Sequence, residues 1–194
     1  MNLVKENIKR GRFINSKVEL AYKICIFGES GVGKTSLVRR FITKKFDEDT
    51  KSTLGAAIHI KNLEMERFKL KLQIWDFGGE DKFRFLLPSY AVGAFGGIFM
   101  YDITRKNTLK KYKEWVNVFK SAVSDDRNKI PILLVGGKSD LKNRRECKEE
   151  DINIIIDSNY FFDKVECSSK IDEKVEFVFK KLINEIFRRF KGTF

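Results

Sequence analysis

The order of segments along the chain predicts a doubly wound α/β fold: a six-stranded, mostly parallel sheet with one antiparallel edge strand and helices on both faces. Short apolar segments alternate with longer segments whose apolar residues recur at helical spacing. In residues 69–75, Lys and Gln alternate with Leu and Ile, which indicates a strand with one solvated face. Such a strand suits an antiparallel edge on an otherwise parallel sheet.

Six segments have the length and apolar content of strands. They are residues 22–27, 57–61, 69–75, 97–101, 131–135 and 161–167. A polar turn separates the second from the third, which predicts a β-hairpin. Helices are predicted after the glycine-rich turn that follows the first strand, and wherever apolar residues share one helical face. They are residues 34–45, 109–123, 152–159 and 175–190.

The length of 194 residues suits one domain, which we expect to span residues 21–190. Residues 1–20 are rich in Lys and Arg and form a basic N-terminal extension in this interpretation, with residues 191–194 as a short tail. The extension is either a frayed tail or a short basic amphipathic helix for a membrane surface.

The chain carries 39 Lys and Arg against 27 Asp and Glu, a net charge of +12. Such a charge attracts nucleic acid, anionic membranes or acidic partners, or simply keeps the surface solvated. The basic residues are spread along the chain and form no block interleaved with aromatic residues, so the sequence favours a solvated surface and predicts no nucleic-acid partner.

Targeting and cysteine signals are sparse. No apolar segment is long enough to span a bilayer, and the N-terminus has charges where a signal peptide has its apolar core, so we expect a cytoplasmic protein. The three cysteines, Cys25, Cys147 and Cys167, are far apart and suit neither a disulfide framework nor a metal site.

The segment GESGVGKTS, residues 28–36, carries the strongest chemical signal. It lies between a predicted strand and a predicted helix, the context in which a glycine-rich loop wraps phosphate oxygens with its backbone N–H groups. The helix N-terminus adds the positive end of its dipole. Lys34 can reach the β- and γ-phosphates, and the Thr35 hydroxyl can ligate Mg²⁺. The motif therefore predicts a site for a nucleotide phosphate and Mg²⁺.

A second signal stands at the end of the third predicted strand. Asp76 closes the apolar segment and is followed by a glycine-rich turn that contains Gly79. In phosphate-loop nucleotidases a carboxylate at this point orders the Mg²⁺ shell, and Gly79 lets a backbone N–H approach the γ-phosphate. Since ligands of doubly wound sheets bind at the carboxyl ends of the strands, we expect Asp76 beside the phosphate loop.

From about Ala21 to Arg189 the chain resembles the Ras superfamily of small GTPases, and the Rab branch most closely. The matching segments, in the expected order, are GESGVGKTS at 28–36, STLG at 52–55, KLQIWDFGGEDKFR at 71–84, SYAVGAFGGIFMYDIT at 89–104, ILLVGGKSDL at 132–141 and ECSSK at 166–170. The resemblance implies the fold of a P-loop NTPase. It also implies a molecular switch that binds GTP and GDP with Mg²⁺ and hydrolyses GTP to GDP.

The resemblance implies a role for residues in each part of such a site. Nucleotide phosphates would be bound by Glu29, Ser30, Gly31, Val32, Gly33, Lys34, Thr35, Ser36, Thr53 and Gly79. Mg²⁺ would be ligated by Thr35, Thr53 and Asp76. The guanine base would be recognised by Phe46, Lys138, Asp140, Leu141, Ser168, Ser169 and Lys170. Hydrolysis would depend on Glu80, Lys34, Thr53 and Gly79.

Glu80 stands where the family usually has glutamine. A carboxylate can accept a hydrogen bond from the attacking water, but it cannot donate one to the phosphoryl oxygens and it repels the γ-phosphate. We therefore expect slow intrinsic hydrolysis. Three alternatives stay open: Glu80 acts as a general base, a partner supplies the missing group, or the chain is a nucleotide-binding interaction module that is deficient in hydrolysis.

Gly137 replaces the asparagine of the family's base-recognition motif, which contacts guanine N7 and ties that motif to the phosphate loop. Losing one or two hydrogen bonds costs about 1–3 kcal/mol. Because Asp140 is retained and its carboxylate matches the N1 and N2 hydrogens of guanine, we expect guanine preference at reduced affinity. Adenine specificity is the competing possibility.

Partners follow from the same resemblance. Mg²⁺ and the γ-phosphate would order switch I, residues 46–55, and switch II, residues 77–90, for effectors, exchange factors and GTPase-activating factors to read. No cysteine follows Cys167, so we expect no prenyl anchor of the family's usual kind. The basic C-terminus is expected to give at most weak contact with an anionic membrane.

Overall fold

The computed structural model describes residues 18–48, 52–65, 68–81, 84–123 and 130–190. Most of the predicted N-terminal extension and all of the tail at 191–194 lie outside the described residues, as do parts of the two predicted switch segments. The first strand begins at Val18 rather than Tyr22, so residues 18–20 belong to the sheet and not to the extension. Val18 and Glu19 are exposed and Leu20 is half-buried against the core. Backbone pairing of residues 18–20 with residues 68–70 makes them part of the strand.

The six predicted strands are confirmed and form one sheet. They are β1 (Val18–Phe27), β2 (Ala56–Glu64), β3 (Phe68–Phe77), β4 (Gly96–Asp102), β5 (Ile132–Gly137) and β6 (Asp163–Glu166). Their order across the sheet is β2-β3-β1-β4-β5-β6. β2 pairs antiparallel with β3 at one edge and all other pairs are parallel, which confirms both the hairpin and the antiparallel edge.

Helices cover both faces of the sheet. They are α1 (Lys34–Thr43), α2 (Leu86–Ala91), α3 (Lys106–Lys110), α4 (Tyr112–Ala122), α5 (Glu149–Asp157) and α6 (Val175–Phe190), with a short 3₁₀ helix at Lys142–Arg144. The prediction of one continuous helix over residues 109–123 is wrong. The chain turns at Lys111, where ψ is 8°, and this turn separates α3 from α4. The short α2, which contains Pro88, was not predicted because six residues are too few for a helical period to register.

Each face of the sheet has its own apolar core. On one face α1 and α6 pack together, with the rings of Phe41 and Phe179 stacked at 3.8 Å between centroids. On the other face α4 packs on the sheet, with Phe119 stacked 4.9 Å from Phe27. The central strands β4 and β5 are buried along their whole length. This double covering holds the carboxyl ends of β1, β3, β4 and β5 rigidly at one edge, where the loops that follow them meet.

No helix within the described parts of the chain has the length and apolar character needed to cross a membrane.

Candidate functional site

The glycine-rich loop between β1 and α1 takes a backbone course that requires glycine. Gly28 has φ of 136°, and a Cβ there would lie 2.2 Å from the Met100 carbonyl oxygen on the neighbouring strand β4. Gly33, the N-cap residue of α1, has φ of 103°. Both angles lie in the left-handed range that other residues rarely adopt. The loop therefore lies directly against the end of β4 and turns its backbone into the N-terminus of α1.

Lys34 is folded back under this loop. Its Nζ donates hydrogen bonds of 2.8 Å to the carbonyl oxygens of Gly28 and Glu29. Only 5% of the residue is exposed. Burial lowers its pKa to about 8, although the carboxylates of Asp76 and Glu29 act in the opposite direction. Burial thus weakens the preference of this amine for its charged form, and a nearby anion would strengthen that preference.

Three oxygen-bearing side chains from three elements meet next to this amine. The Thr35 hydroxyl donates to Asp76 Oδ2 at 2.6 Å and lies 2.7 Å from the Thr53 hydroxyl. Asp76 is fully buried, and its Oδ1 has no hydrogen-bond partner among the described residues. Burial raises the pKa of this carboxyl, against the opposing influence of Thr35, Lys34, His59 and Thr53.

This donor set fits Mg²⁺, which prefers oxygen ligands and pairs well with one carboxylate. The unpartnered Asp76 Oδ1 supports the fit, since a buried carboxylate oxygen without a partner is costly unless a cation or a bound water satisfies it.

Gly79 and Glu80 lie over the loop from the side of β3. A Cβ at Gly79 would lie 2.4 Å from both the Glu29 carbonyl carbon and the Ser30 nitrogen, so only glycine allows this approach. Glu80 lines the same cleft of about 240 Å³. The cleft is bordered by Ser30, Gly31, Gly33, Lys34, Thr35, Ser36, Phe46, Asp47, Glu48, Ser52, Thr53, Phe77, Gly79, Glu80 and Lys138. The structure thus brings most of the predicted phosphate and metal residues to one cleft; Asp76 meets Thr35 and Thr53 beneath it.

The Glu29 side chain points toward α4 and not into the cleft. Its carboxylate accepts hydrogen bonds from Trp115 Nε1 at 2.8 Å, from Lys111 Nζ at 3.1 Å and from Arg84 at 3.3 Å. Glu29 is therefore part of the loop through its backbone alone, and its side chain links the loop to α4 and to the switch II segment. Sequence reasoning missed this cluster because its members lie 55 to 86 residues from Glu29.

Arg84 joins the same cluster from the switch II segment. It donates to Asp81 at 2.6 Å and to Glu114 at 2.8 Å, and its guanidinium lies 4.6 Å from the centroid of the Trp115 ring. Three carboxylates and one ring thus hold a single cation. The position of switch II is coupled in this way to the phosphate loop.

The segment that follows β5 lies at the other end of the cleft from Glu80, where base recognition is predicted. Lys138 has φ of 66°, and its Nζ lies 2.7 Å from Asp102 Oδ2 at the end of β4. Burial would raise the pKa of Asp102, but hydrogen bonds from Lys138 and Thr104 outweigh it and hold the pKa below its usual value. Arg105 also donates to Asp102, at 3.0 Å, and to the Ser30 carbonyl oxygen at 2.9 Å. Neither Asp102 nor Arg105 was predicted from the sequence.

Asp140 and the loop after β6 meet at this end. The Ser168 hydroxyl donates to Asp140 Oδ1 at 2.6 Å and accepts a hydrogen bond from the Ile171 N–H at 3.3 Å. The Leu141 N–H closes a turn onto the Lys138 carbonyl oxygen at 2.9 Å. These contacts fix the direction of the Asp140 carboxylate.

Arg40 of α1 holds the same loop from below. It donates to the carbonyl oxygens of Ser169 and Lys170, each at 2.7 Å, and its guanidinium lies 5.8 Å from the Phe46 ring. Lys170 in turn lies 3.0 Å from Glu48. Among the predicted base-recognition residues, Phe46 and Lys138 line the cleft. Asp140, Leu141, Ser168, Ser169 and Lys170 do not line it; the hydrogen bonds described above place them next to Lys138, Arg40 and one another. Arg40 was missed, since its helical position alone carries no signal of this contact.

A larger cleft of about 880 Å³ lies at the amino ends of β5 and β6, between α4 and α6. It contains none of the predicted site residues. Its cations are Lys120, Lys180, Lys181, Arg188 and Arg189. Lys120, Arg188 and Arg189 stand in the last turns of α4 and α6, where positive side chains offset the helix dipole, and Lys181 pairs with Asp163.

Comparison with known proteins agrees with this geometry. The model of the Ras family matches residues 23–188. Ras-related protein Rab-18-B of Danio rerio is 36% identical over 166 residues, which cover 86% of this chain and 79% of that protein. Ras-related protein Rab-18 of Lymnaea stagnalis is 36% identical, over 86% and 80% of the two chains. Ras-related protein Rab-11A of Dictyostelium discoideum is 33% identical, over 86% and 76%.

The chain therefore belongs to the Ras family of small GTPases and is Rab-like within it. It is a guanine-nucleotide-binding molecular switch with GTPase activity, and regulator or effector proteins are its partners.

The depressed pKa of Lys34 predicts a contribution to stability that depends on pH. In the nucleotide-free native state the amine loses its proton near pH 8, whereas in the unfolded chain it keeps it to about 10.5. Between these values the unfolded state binds more protons, so this contribution to the free energy of unfolding rises with pH, by on the order of 3 kcal/mol.

Urea unfolding of wild type and Lys34→Met should be measured between pH 8 and about 10.5. As the pH rises, the free energy of unfolding of wild type should increase relative to that of the variant. Lys69→Met, which changes an exposed lysine, should keep a constant difference from wild type. A constant difference for Lys34→Met as well would contradict the assignment.

The Glu29 cluster predicts that Arg84→Met destabilises the protein by about 1–3 kcal/mol, because the substitution removes charge-assisted hydrogen bonds from a largely buried carboxylate. Arg84 and Glu29 are only 20% and 18% exposed. Arg39→Met is the matched control, since its pair with Asp47 is 46% and 55% exposed and should contribute less than about 1 kcal/mol. Chemical denaturation measures both; equal losses would show that the cluster contributes no more than a surface pair.

Proposed function

We propose that this chain binds GTP and GDP with Mg²⁺ in the cleft over residues 28–36, hydrolyses GTP slowly by itself, and acts as a Rab-like regulator of vesicle traffic. The observation that carries the proposal is the meeting of Thr35, Thr53 and Asp76 next to Lys34, with one Asp76 oxygen left without a partner. A cation site beside a phosphate loop is the arrangement that a nucleoside triphosphate with Mg²⁺ requires.

At the phosphate end, the proposed roles follow from position. Thr35, Thr53 and Asp76 would hold the Mg²⁺, and the ion would neutralise charge on the phosphates. Lys34 would exchange the carbonyl oxygens of Gly28 and Glu29 for phosphate oxygens, and that anion would favour its charged form. The N–H groups of residues 29–36 and Gly79 would surround the phosphates.

At the base end, Asp140 is the proposed acceptor for the N1 and N2 hydrogens of guanine. A carboxylate has about four acceptor positions, so the hydrogen bond from Ser168 leaves room for two more donors. The Lys138 stem and the Phe46 ring both line the cleft, which supports their role along the faces of the base. Leu141, Ser169 and Lys170 would complete this end by holding the two base-binding loops in position.

Hydrolysis is proposed to be slow because Glu80 brings a negative charge to the cleft where the γ-phosphate would lie. The phosphate would be bound and oriented by Gly79, Lys34 and Thr53. The slow rate of hydrolysis would therefore come from poor positioning of the attacking water. The second candidate function, a nucleotide-binding interaction module deficient in hydrolysis, is favoured by the same position of Glu80.

The switch segments suit protein partners. Leu54 in switch I is 75% exposed and Phe85 in switch II is 72% exposed, so each segment presents one large apolar side chain to a binding partner. We propose that effectors, exchange factors and GTPase-activating factors bind there, since the chain belongs to the Ras family. Weak contact with an anionic membrane is proposed from the basic residues near the C-terminus, among them Arg188 and Arg189.

Glu80→Gln should accelerate single-turnover GTP hydrolysis by about tenfold, since glutamine removes the like charge and adds a donor for the phosphoryl oxygens. Glu64→Gln, at the far end of β2, should leave the rate unchanged. A markedly slower Gln variant would identify Glu80 as a general base. No turnover by either protein in the presence of bound GTP would favour the interaction module.

Guanine recognition by Asp140 predicts that GDP binds at least about a hundredfold more tightly than ADP. Asp140→Asn should abolish most of this preference for GDP over ADP, while Asp157→Asn on α5 should preserve it. Because Gly137 offers no side chain to guanine N7, 7-deaza-GDP should bind nearly as well as GDP. Competition against a fluorescent GDP derivative measures all three ligands; equal affinity of wild type for GDP and ADP would refute the assignment.

A further inference from the structure

The strand end at Gly137 has no room for a side chain. A Cβ there would lie 2.5 Å from the Met100 methyl carbon and 2.7 Å from the Val32 carbonyl oxygen in the phosphate loop. Met100 pairs with Val135 in the sheet, so its side chain points to the same face as residue 137. The space that a side chain at 137 would take is therefore filled from β4.

Met100 lies close to the phosphate loop at two of its glycines. Its carbonyl oxygen limits residue 28 to glycine, because a Cβ there would lie 2.2 Å away. Its methyl carbon lies 3.4 Å from the position of a Cβ on Gly33, which is an ordinary van der Waals distance. Met100 is only 1% exposed and belongs to the same apolar core as Val32. One residue thus spans the loop from its first glycine to the N-cap glycine of α1.

We infer that Met100 is a positioning residue for nucleotide binding: its thioether packs between Gly137 and the phosphate loop and holds that loop against the base-recognition end of the site. A methionine suits this role because its unbranched, polarisable side chain fills irregular gaps. The inference rests on the proposed nucleotide site. It adds that the loop is braced there by apolar contact, and that a side chain at 137 would have to displace the Met100 methyl as well as the Val32 carbonyl oxygen.

Two consequences follow for nucleotide residence. Shortening residue 100 leaves a cavity beside the loop, so the loop loses its support and nucleotide leaves faster. Adding a methyl group at 137 pushes both the Met100 methyl and the Val32 carbonyl, so the loop moves and nucleotide again leaves faster. In the double variant the added methyl enters the space that the thioether vacated, so the two effects partly cancel.

The test is a double-mutant cycle on the release of a fluorescent GDP derivative, with Met100→Ala, Gly137→Ala and the pair. Each single variant should release GDP about tenfold faster, and the pair should release it at least about threefold more slowly than the product of the two effects. Met100→Leu, which conserves volume, should stay within about threefold of wild type. Release rates that multiply independently would overturn the inference, as would wild-type rates for Met100→Ala.

Two controls separate positioning from stability. Leu133→Ala removes a buried side chain from the same core, on β5 and away from the loop, and should lower stability to urea without speeding release. Gly136→Ala should act independently of Met100→Ala, because the Tyr101 hydroxyl, at 2.7 Å from its added carbon, is what obstructs it. If Leu133→Ala speeds GDP release as much as Met100→Ala does, then Met100 acts only as a general core residue and not as a positioning residue.

If no variant and no wild type binds the GDP derivative, the proposed nucleotide site fails. The same cycle measured by urea unfolding then still tests the contact, since coupling between positions 100 and 137 in the free energy of unfolding does not depend on nucleotide.

Discussion

A buried carboxylate at the end of β3 is the interaction on which the site depends. Asp76 is held by the hydroxyls of Thr35, from α1, and Thr53, from the loop before β2, so three elements converge on one charge. Burying a carboxylate is costly unless cations or donors surround it. Here Lys34 and the hydroxyls supply part of that stabilisation, and Asp76 Oδ1 has no hydrogen-bond partner among the described residues. A bound Mg²⁺ would satisfy that oxygen, as we propose.

Two clusters extend this centre in opposite directions. Toward α4, Glu29 joins the phosphate loop to Arg84 and Trp115, so switch II is tied to the loop by charge. Toward β5, Met100 joins the loop to Gly137 by apolar contact. Glu80 and Gly137, the two residues that we expect to depart from the family's pattern, both lie close to this loop. Glu80 lines the cleft over it, and a Cβ at Gly137 would lie 2.7 Å from the Val32 carbonyl oxygen.

Much of the fold was predictable from local patterns, because apolar residues recur every two residues in strands and about every 3.6 residues in helices. All six strands and the antiparallel edge followed from such patterns. The break at Lys111 and the short helix at Leu86–Ala91 did not, since each concerns a single turn. In the site, Lys34, Thr35, Asp76 and Gly79 came from motif and strand context, while Thr53, Asp140 and Ser168 came only from the resemblance.

The sequence by itself determined the chemistry of the phosphate end, because a glycine-rich loop between a strand and a helix uses its own backbone and needs few distant partners. Tertiary structure decided where side chains point and what fills the spaces between strands. Glu29 turns to α4, Arg40 reaches carbonyl oxygens 129 and 130 residues away, and Met100 occupies the space at Gly137. These are contacts between residues far apart in the chain, and only the packing of helices on the sheet brings such residues together.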